Sequence, residues 1–112
     1  MVGIAGEIEN VIQSYLRDLS SEIKIEKAFL FGSYAKGDYD IDSDIDLAIF
    51  TDSFEEMDRI EGIKFLLKMA RKYRGIDLQP IAFTSQDYKK PLGIVEDILK
   101  TGVELRINQT GS

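Results

Sequence analysis

Asp44 and Asp46 bracket a single isoleucine in Asp44-Ile45-Asp46-Leu47, and ten residues, 34 to 43, separate Asp44 from Phe31-Gly32-Ser33. Side chains alternate between the faces of a β-strand, so the two carboxylates project to one face while Ile45, Leu47 and Ile49 point to the other. Two acids sharing one small volume repel, and either a proton or a divalent cation must relieve the conflict. Magnesium suits hard oxygen ligands and is usually held by one or two carboxylates plus substrate phosphates. The apolar run Lys27-Ala28-Phe29-Leu30-Phe31 ends in Gly32-Ser33, where a strand should turn into a short helix. Glycine allows backbone to approach a phosphate closely, a helix N-terminus presents unpaired N–H groups, and the Ser33 hydroxyl can cap or donate. A phosphate cradle beside a metal clamp points to phosphoryl-transfer chemistry.

The acidic run Asp38, Asp40, Asp42, Asp44, Asp46 also begins like a calcium loop of the EF-hand type. Counted from Asp38, however, position six is Ser43 where such a loop needs glycine, and position twelve is Ile49 where it needs a bidentate glutamate. Asp38, Asp40 and Asp42 read more simply as a solvated loop. Lys36 either brings an ammonium near a triphosphate or is a surface lysine, and Tyr34 either stacks near a base or packs on the sheet.

Several elements must position these residues. Ile8, Val11, Ile12, Tyr15, Leu16 and Leu19 recur at three- and four-residue steps, predicting an amphipathic helix over about Gly6 to Leu19. Strands are expected over Lys27 to Phe31 and Ile45 to Phe50, with a polar loop from Gly37 to Ser43 between them. Ser53 and Glu56 form a capping-box pattern before a helix whose apolar stripe is Phe54, Met57, Ile60, Ile63, Leu67 and Ala70. A third strand follows Gly75, from Asp77 to Phe83, and Pro80 places it at an edge or a bulge. Pro91 to Lys100 should form a last helix ended by Gly102, after which Val103-Glu104-Leu105 could add a short strand.

The 112 residues suit one domain, 1–112, with enough apolar content for a single core. There is no cysteine and no histidine, which excludes disulfides, thiolate or imidazole metal sites and a Ser-His triad. No signal-peptide pattern or membrane span is evident, so a soluble, cytoplasmic protein is expected. Asn108-Gln109-Thr110 matches a glycosylation sequon, a fortuitous match without secretion. The net charge of −6 disfavours a nucleic-acid partner, which would call for a basic footprint. Lys68, Arg71, Lys72 and Arg74 form one local basic cluster. Cations there suit a helix C-terminus, and an acidic protein partner could also use them.

The stretch GSYAKGDYDIDSDIDLAIF resembles the signature of the nucleotidyltransferase superfamily related to DNA polymerase β, in its minimal branch. The resemblance covers about the first four-fifths of the chain, with the specific motif confined to residues 31 to 49. It implies an α/β (α+β) fold with a mixed sheet of three to four strands flanked by helices. It further implies Mg²⁺, two ions held by Asp44 and Asp46, with Asp77 of Gly75-Ile76-Asp77-Leu78 as the third carboxylate and catalytic partner. Gly32, Ser33, Lys36 and Ser43 are the candidate nucleotide-binding residues, with ATP as substrate and AMP transferred to a hydroxyl. That branch includes antitoxins paired with HEPN-domain ribonuclease toxins, which implies a HEPN toxin on a separate chain as partner and a tyrosine of it as acceptor, within a homo- or hetero-oligomer. Two other readings remain: a noncatalytic module that neutralises its partner by binding, and a small-molecule nucleotidyltransferase of the antibiotic-modifying type.

Overall fold

The computed structural model describes residues 6–37, 44–54 and 58–107. In chain order, the elements are α1 (Gly6–Ser20), β1 (Lys27–Phe31), α2 (Ser33–Lys36), β2 (Ile45–Phe50), α3 (Arg59–Ala70), β3 (Leu78–Phe83), α4 (Ser85–Lys89), α5 (Ile94–Thr101) and β4 (Val103–Glu104). The strands form one sheet in the order β3-β2-β1-β4. β1 runs antiparallel to both β2 and β4, whereas β2 and β3 are parallel, so the sheet is mixed as expected.

Alternation along the strands divides the core in two. Ala28, Leu30, Ile45, Leu47, Ile49 and Leu78 face one way and meet Ile12, Tyr15, Leu16 and Leu19 of α1 and Leu66 and Ala70 of α3. Phe29, Ala48, Phe50 and Phe83 face the other way and meet Val95 and Ile98 of α5. Phe50 organises this second layer: its ring lies edge-on to Phe29 at 5.9 Å and to Tyr88 at 5.6 Å, and stacks on Phe83 at 5.3 Å. Gly102 lets the end of α5 reach the sheet, because a Cβ there would stand 2.6 Å from the Ile98 carbonyl oxygen and 3.0 Å from that of Leu30.

β3 lies at an edge, as Pro80 requires. The Asp77 carbonyl accepts from the Ile45 N–H and the Phe83 carbonyl from the Thr51 N–H, both at 2.8 Å. Odd-numbered residues of β3 therefore turn their backbone polar groups toward β2, and Leu78, Pro80 and Ala82 turn theirs outward. Pro80 thus costs the ladder no hydrogen bond.

Three expectations need correction. The helix α3 does not begin at a Ser53 capping box: Asp58 is the N-cap and accepts from the Ile60 N–H at 3.1 Å. The Ser53 hydroxyl instead accepts from the Lys24 N–H at 3.1 Å, tying the end of β2 to the segment before β1. The apolar stripe is also partly shifted: Ala70 and Phe54 face the core as expected, but Ile60 is 59% exposed and Leu66 is fully buried. Among the three consecutive apolar residues Phe65, Leu66 and Leu67, it is the middle one that faces the core. Finally, the region after β3 holds two helices. α4 starts with a reciprocal capping box between Thr84 and Asp87, and α5 begins only at Ile94, after Gly93 with φ 60°. The acidic loop residues Asp38, Asp40 and Asp42, with Ser43, Glu56, Met57 and the sequon at 108–110, lie outside the described residues.

Candidate active site

β1 ends, and β2 and β3 begin, at the same end of the sheet. Phe31 stands opposite Asp46 in the antiparallel pair, and Asp46 stands beside Gln79 in the parallel one. Ile45 pairs with Leu78, so the residues just before them, Asp44 and Asp77, meet at the mouth of the same ladder. Alternation puts Asp46 on the face of Ala48 and Phe50, beyond the part that α5 covers. Asp46 is half-buried, and Asp44 and Asp77 are exposed.

The Asp44 and Asp77 carboxyls share a hydrogen bond, which with the charge of Asp77 holds Asp44 above the usual carboxylate range; slight desolvation and the charge of Asp46 add to it. Asp46 is also raised, first by its burial and then by the charge of Asp77. The Gln79 side-chain amide donates to Asp77 Oδ1 at 2.6 Å. Sequence reasoning did not single out Gln79; its place two residues after Asp77, on the same face of a strand, is the signal that identifies it.

Gly32 is the N-cap of α2, with φ 73° and ψ −148°, a region that is essentially reserved for glycine. A Cβ built there would collide with Oδ2 of Asp46 and lie 3.2 Å from its Cγ. The glycine of the first motif is therefore what leaves space for the carboxylate of the second. Ser33 opens α2 half-buried and Lys36 is exposed at its end. Tyr34 is buried at 7% exposure in the α1 and α3 core, which settles its role as packing. Ser43 lies outside the described residues.

Among the described residues, no three acidic side chains are gathered as a preformed metal cage. Neighbouring carboxylates repel when both are ionised, a conflict that either a proton or a divalent cation relieves. Asp44, Asp46 and Asp77 stand at one end of the sheet without forming such a cage, and carboxylate oxygens are the donors that a hard divalent cation takes.

The sequence matches the family described as Polymerase beta, Nucleotidyltransferase over residues 10–110. The chain belongs to that family and is a nucleotidyltransferase. It is 32% identical over 106 residues to "Putative protein adenylyltransferase MJ0141" of Methanocaldococcus jannaschii, covering 88% of this chain and 99% of that protein. It is 34% identical over 86 residues to "Putative protein adenylyltransferase MJ0604" of the same organism, covering 75% and 81%. Similar folds occur in a structure described as "a putative nucleotidyltransferase from Sulfolobus solfataricus" (TM-score 0.67, 21% identity, 94% of this chain and 85% of that one). They occur also in a structure described as a toxin-antitoxin with AMP-PNP (TM-score 0.56, 24% identity, 90% and 74%).

Proposed function

We propose that this chain is a Mg²⁺-dependent adenylyltransferase that moves AMP from ATP to a hydroxyl, a tyrosine of a partner HEPN ribonuclease, and thereby acts as an antitoxin. The observation that carries the reading is that Asp77, just before β3, and Asp44, just before β2, stand at the end of the sheet that carries Asp46 and the Gly32 turn. The names of the two archaeal relatives support the adenylyl group. The toxin-antitoxin neighbour and the resemblance in residues 31 to 49 support a toxin as acceptor.

Asp44, Asp46 and Asp77 would hold Mg²⁺. When bound, the metal neutralises charge on the phosphates and acts as a Lewis acid. Gly32 and Ser33 bind the β and γ phosphates through the backbone of the turn and the serine hydroxyl, with Lys36 and Ser43 adding polar contacts, and so align the α phosphorus. The acceptor oxygen attacks that phosphorus, its bond to the bridging oxygen of the β phosphate breaks, and pyrophosphate leaves. The hydroxyl proton passes to the Asp77 carboxylate and on to water. Gln79 keeps that carboxylate oriented.

The test is the intact mass of the protein encoded beside this chain, after coexpression with wild type or Asp46→Asn. A gain of one or more adenylyl groups with wild type alone is expected. Equal gain with Asp46→Asn overturns the site. A stable complex with no gain from either overturns turnover and leaves neutralisation by binding.

A further inference from the structure

A cleft of about 280 Å³ opens between the end of α3 and the start of β3. Its walls are apolar, from Leu67, Tyr73 and Ile76, and its lip is polar, from Arg71, Asp77 and Gln79. Tyr73 is a fixed wall: its hydroxyl donates to Asp18 Oδ2 at 2.6 Å, and its ring stands edge-on to Tyr15 at 6.1 Å. Asp77 belongs both to this lip and to the carboxylate group, so the cleft borders the candidate active site at the edge of the sheet.

One cation, Arg71, lines the cleft and belongs to a basic segment, on a chain with 14 basic and 20 acidic residues. Four of those cations, Lys68, Arg71, Lys72 and Arg74, fall between positions 68 and 74, and all four are exposed. Among the described residues, none of the four forms an ion pair. We infer that the cleft is the docking site of the acceptor polypeptide, which inserts a hydroxyl-bearing aromatic side chain between Leu67 and Tyr73 while acidic residues flanking it meet the cations. This rests on the proposed transfer to a tyrosine and adds which tyrosines are chosen. A polypeptide fits better than a nucleic acid, since the chain carries a net charge of −6 and offers four clustered cations rather than the extended basic footprint a nucleic acid calls for. A peptide brings its acids only to the rim and a neutral side chain to the interior.

The probe is a fluorescein-labelled peptide with one tyrosine between pairs of aspartate and glutamate, compared with its lysine-flanked counterpart. Binding is read by anisotropy, and adenylylation by mass after incubation with Mg²⁺ and ATP. Saturable, salt-sensitive binding of the acidic peptide is expected, weakened about tenfold or more by the double variant Arg71→Glu/Lys72→Glu. A fluorescent ATP analogue should bind that variant as it binds wild type. Lys89→Glu/Lys90→Glu, the same charge change at exposed lysines elsewhere, should leave peptide binding unaltered. Equal loss in both double variants, no preference for the acidic peptide, or tighter binding of a single-stranded RNA to the same cations overturns the inference. A peptide that binds as described but is never adenylylated leaves the docking site standing and removes the proposed transfer. Adenylylation unaffected by Arg71→Glu/Lys72→Glu does the reverse.

Discussion

The two faces of the sheet are built from alternating residues of the same strands, yet they do different work. The face under α1 and α3 is closed: Leu30, Ile45, Leu47 and Ile49 are all at most 1% exposed. The opposite face is covered only in part, by α4 and α5 over Phe29 and Phe50, and its other end carries Asp46, Gln79 and the half-buried Phe31. Closure on one side provides the stability that lets the other side hold mutually repelling carboxylates. The contrast is sharpest along β2, where Asp46 and Leu47 are neighbours in sequence on opposite faces.

The largest effect should come from the closed face. Leu47→Ala is expected to cost about 2–5 kcal/mol of stability, read by chemical denaturation, because it removes a fully buried side chain from a dense layer. A cost below about 1 kcal/mol would show that this face is not the stabilising one.

Next comes the contact between the two motifs. Gly32→Ala places a Cβ against Asp46 in a backbone region that alanine avoids, at a cost of about 1–3 kcal/mol. The melting temperature should fall and Mg²⁺ should no longer raise it, because the carboxylate is displaced. Unchanged Mg²⁺ stabilisation would break the link between Gly32 and Asp46.

The open face should show the opposite sign. Asp44 and Asp46 are held above their ordinary range. A raised folded-state value means that their contribution is present below the unfolded value, near pH 4, and lost as pH rises through the folded one. At neutral pH and without metal, these acids therefore weaken the fold. Asp46→Asn is expected to raise the melting temperature in EDTA and to remove most of the increase that Mg²⁺ gives wild type; a fall in EDTA would sink this account.

The smallest effect belongs to the tyrosines that join α1 to α3. Burial, then Tyr73 nearby, raises Tyr15 well above its usual value, and its hydroxyl donates to the Leu66 carbonyl at 2.8 Å. Burial first, then the hydrogen bond to Asp18, pushes Tyr73 up to about 12. Their contribution is complete below the ordinary tyrosine value of 10.0 and is lost as pH rises through the folded values. Thermal melts should therefore lose stability between about pH 10 and 12, and Tyr73→Phe should lose less over the same interval.

Much of this arrangement was legible in the sequence, for local reasons. Short apolar runs marked β1 and β2, and the three- and four-residue spacing of Ile12, Tyr15, Leu16 and Leu19 marked α1. Asp44 and Asp46 stood out because acids interrupt an otherwise apolar strand. The start of α3 was misread because Ser53 offers a cap locally but is engaged by Lys24, 29 residues away. α4 spans five residues, too few for a periodic stripe, although Thr84 and Asp87 carried its capping box in plain view. That Asp77 reaches Asp44 depends on the parallel register of Ile45 with Leu78, and no pattern within either strand encodes which residues of the other it will face.

The outward-facing Pro80 has a further consequence for how this chain meets others. A foreign strand laid along the β3 edge would find a missing donor midway along the row and could not complete a continuous ladder. Recognition beside that edge must then be read through side chains, which vary with sequence, rather than through backbone, which does not. Discrimination at this edge thus comes from a residue that contributes no hydrogen bond at all.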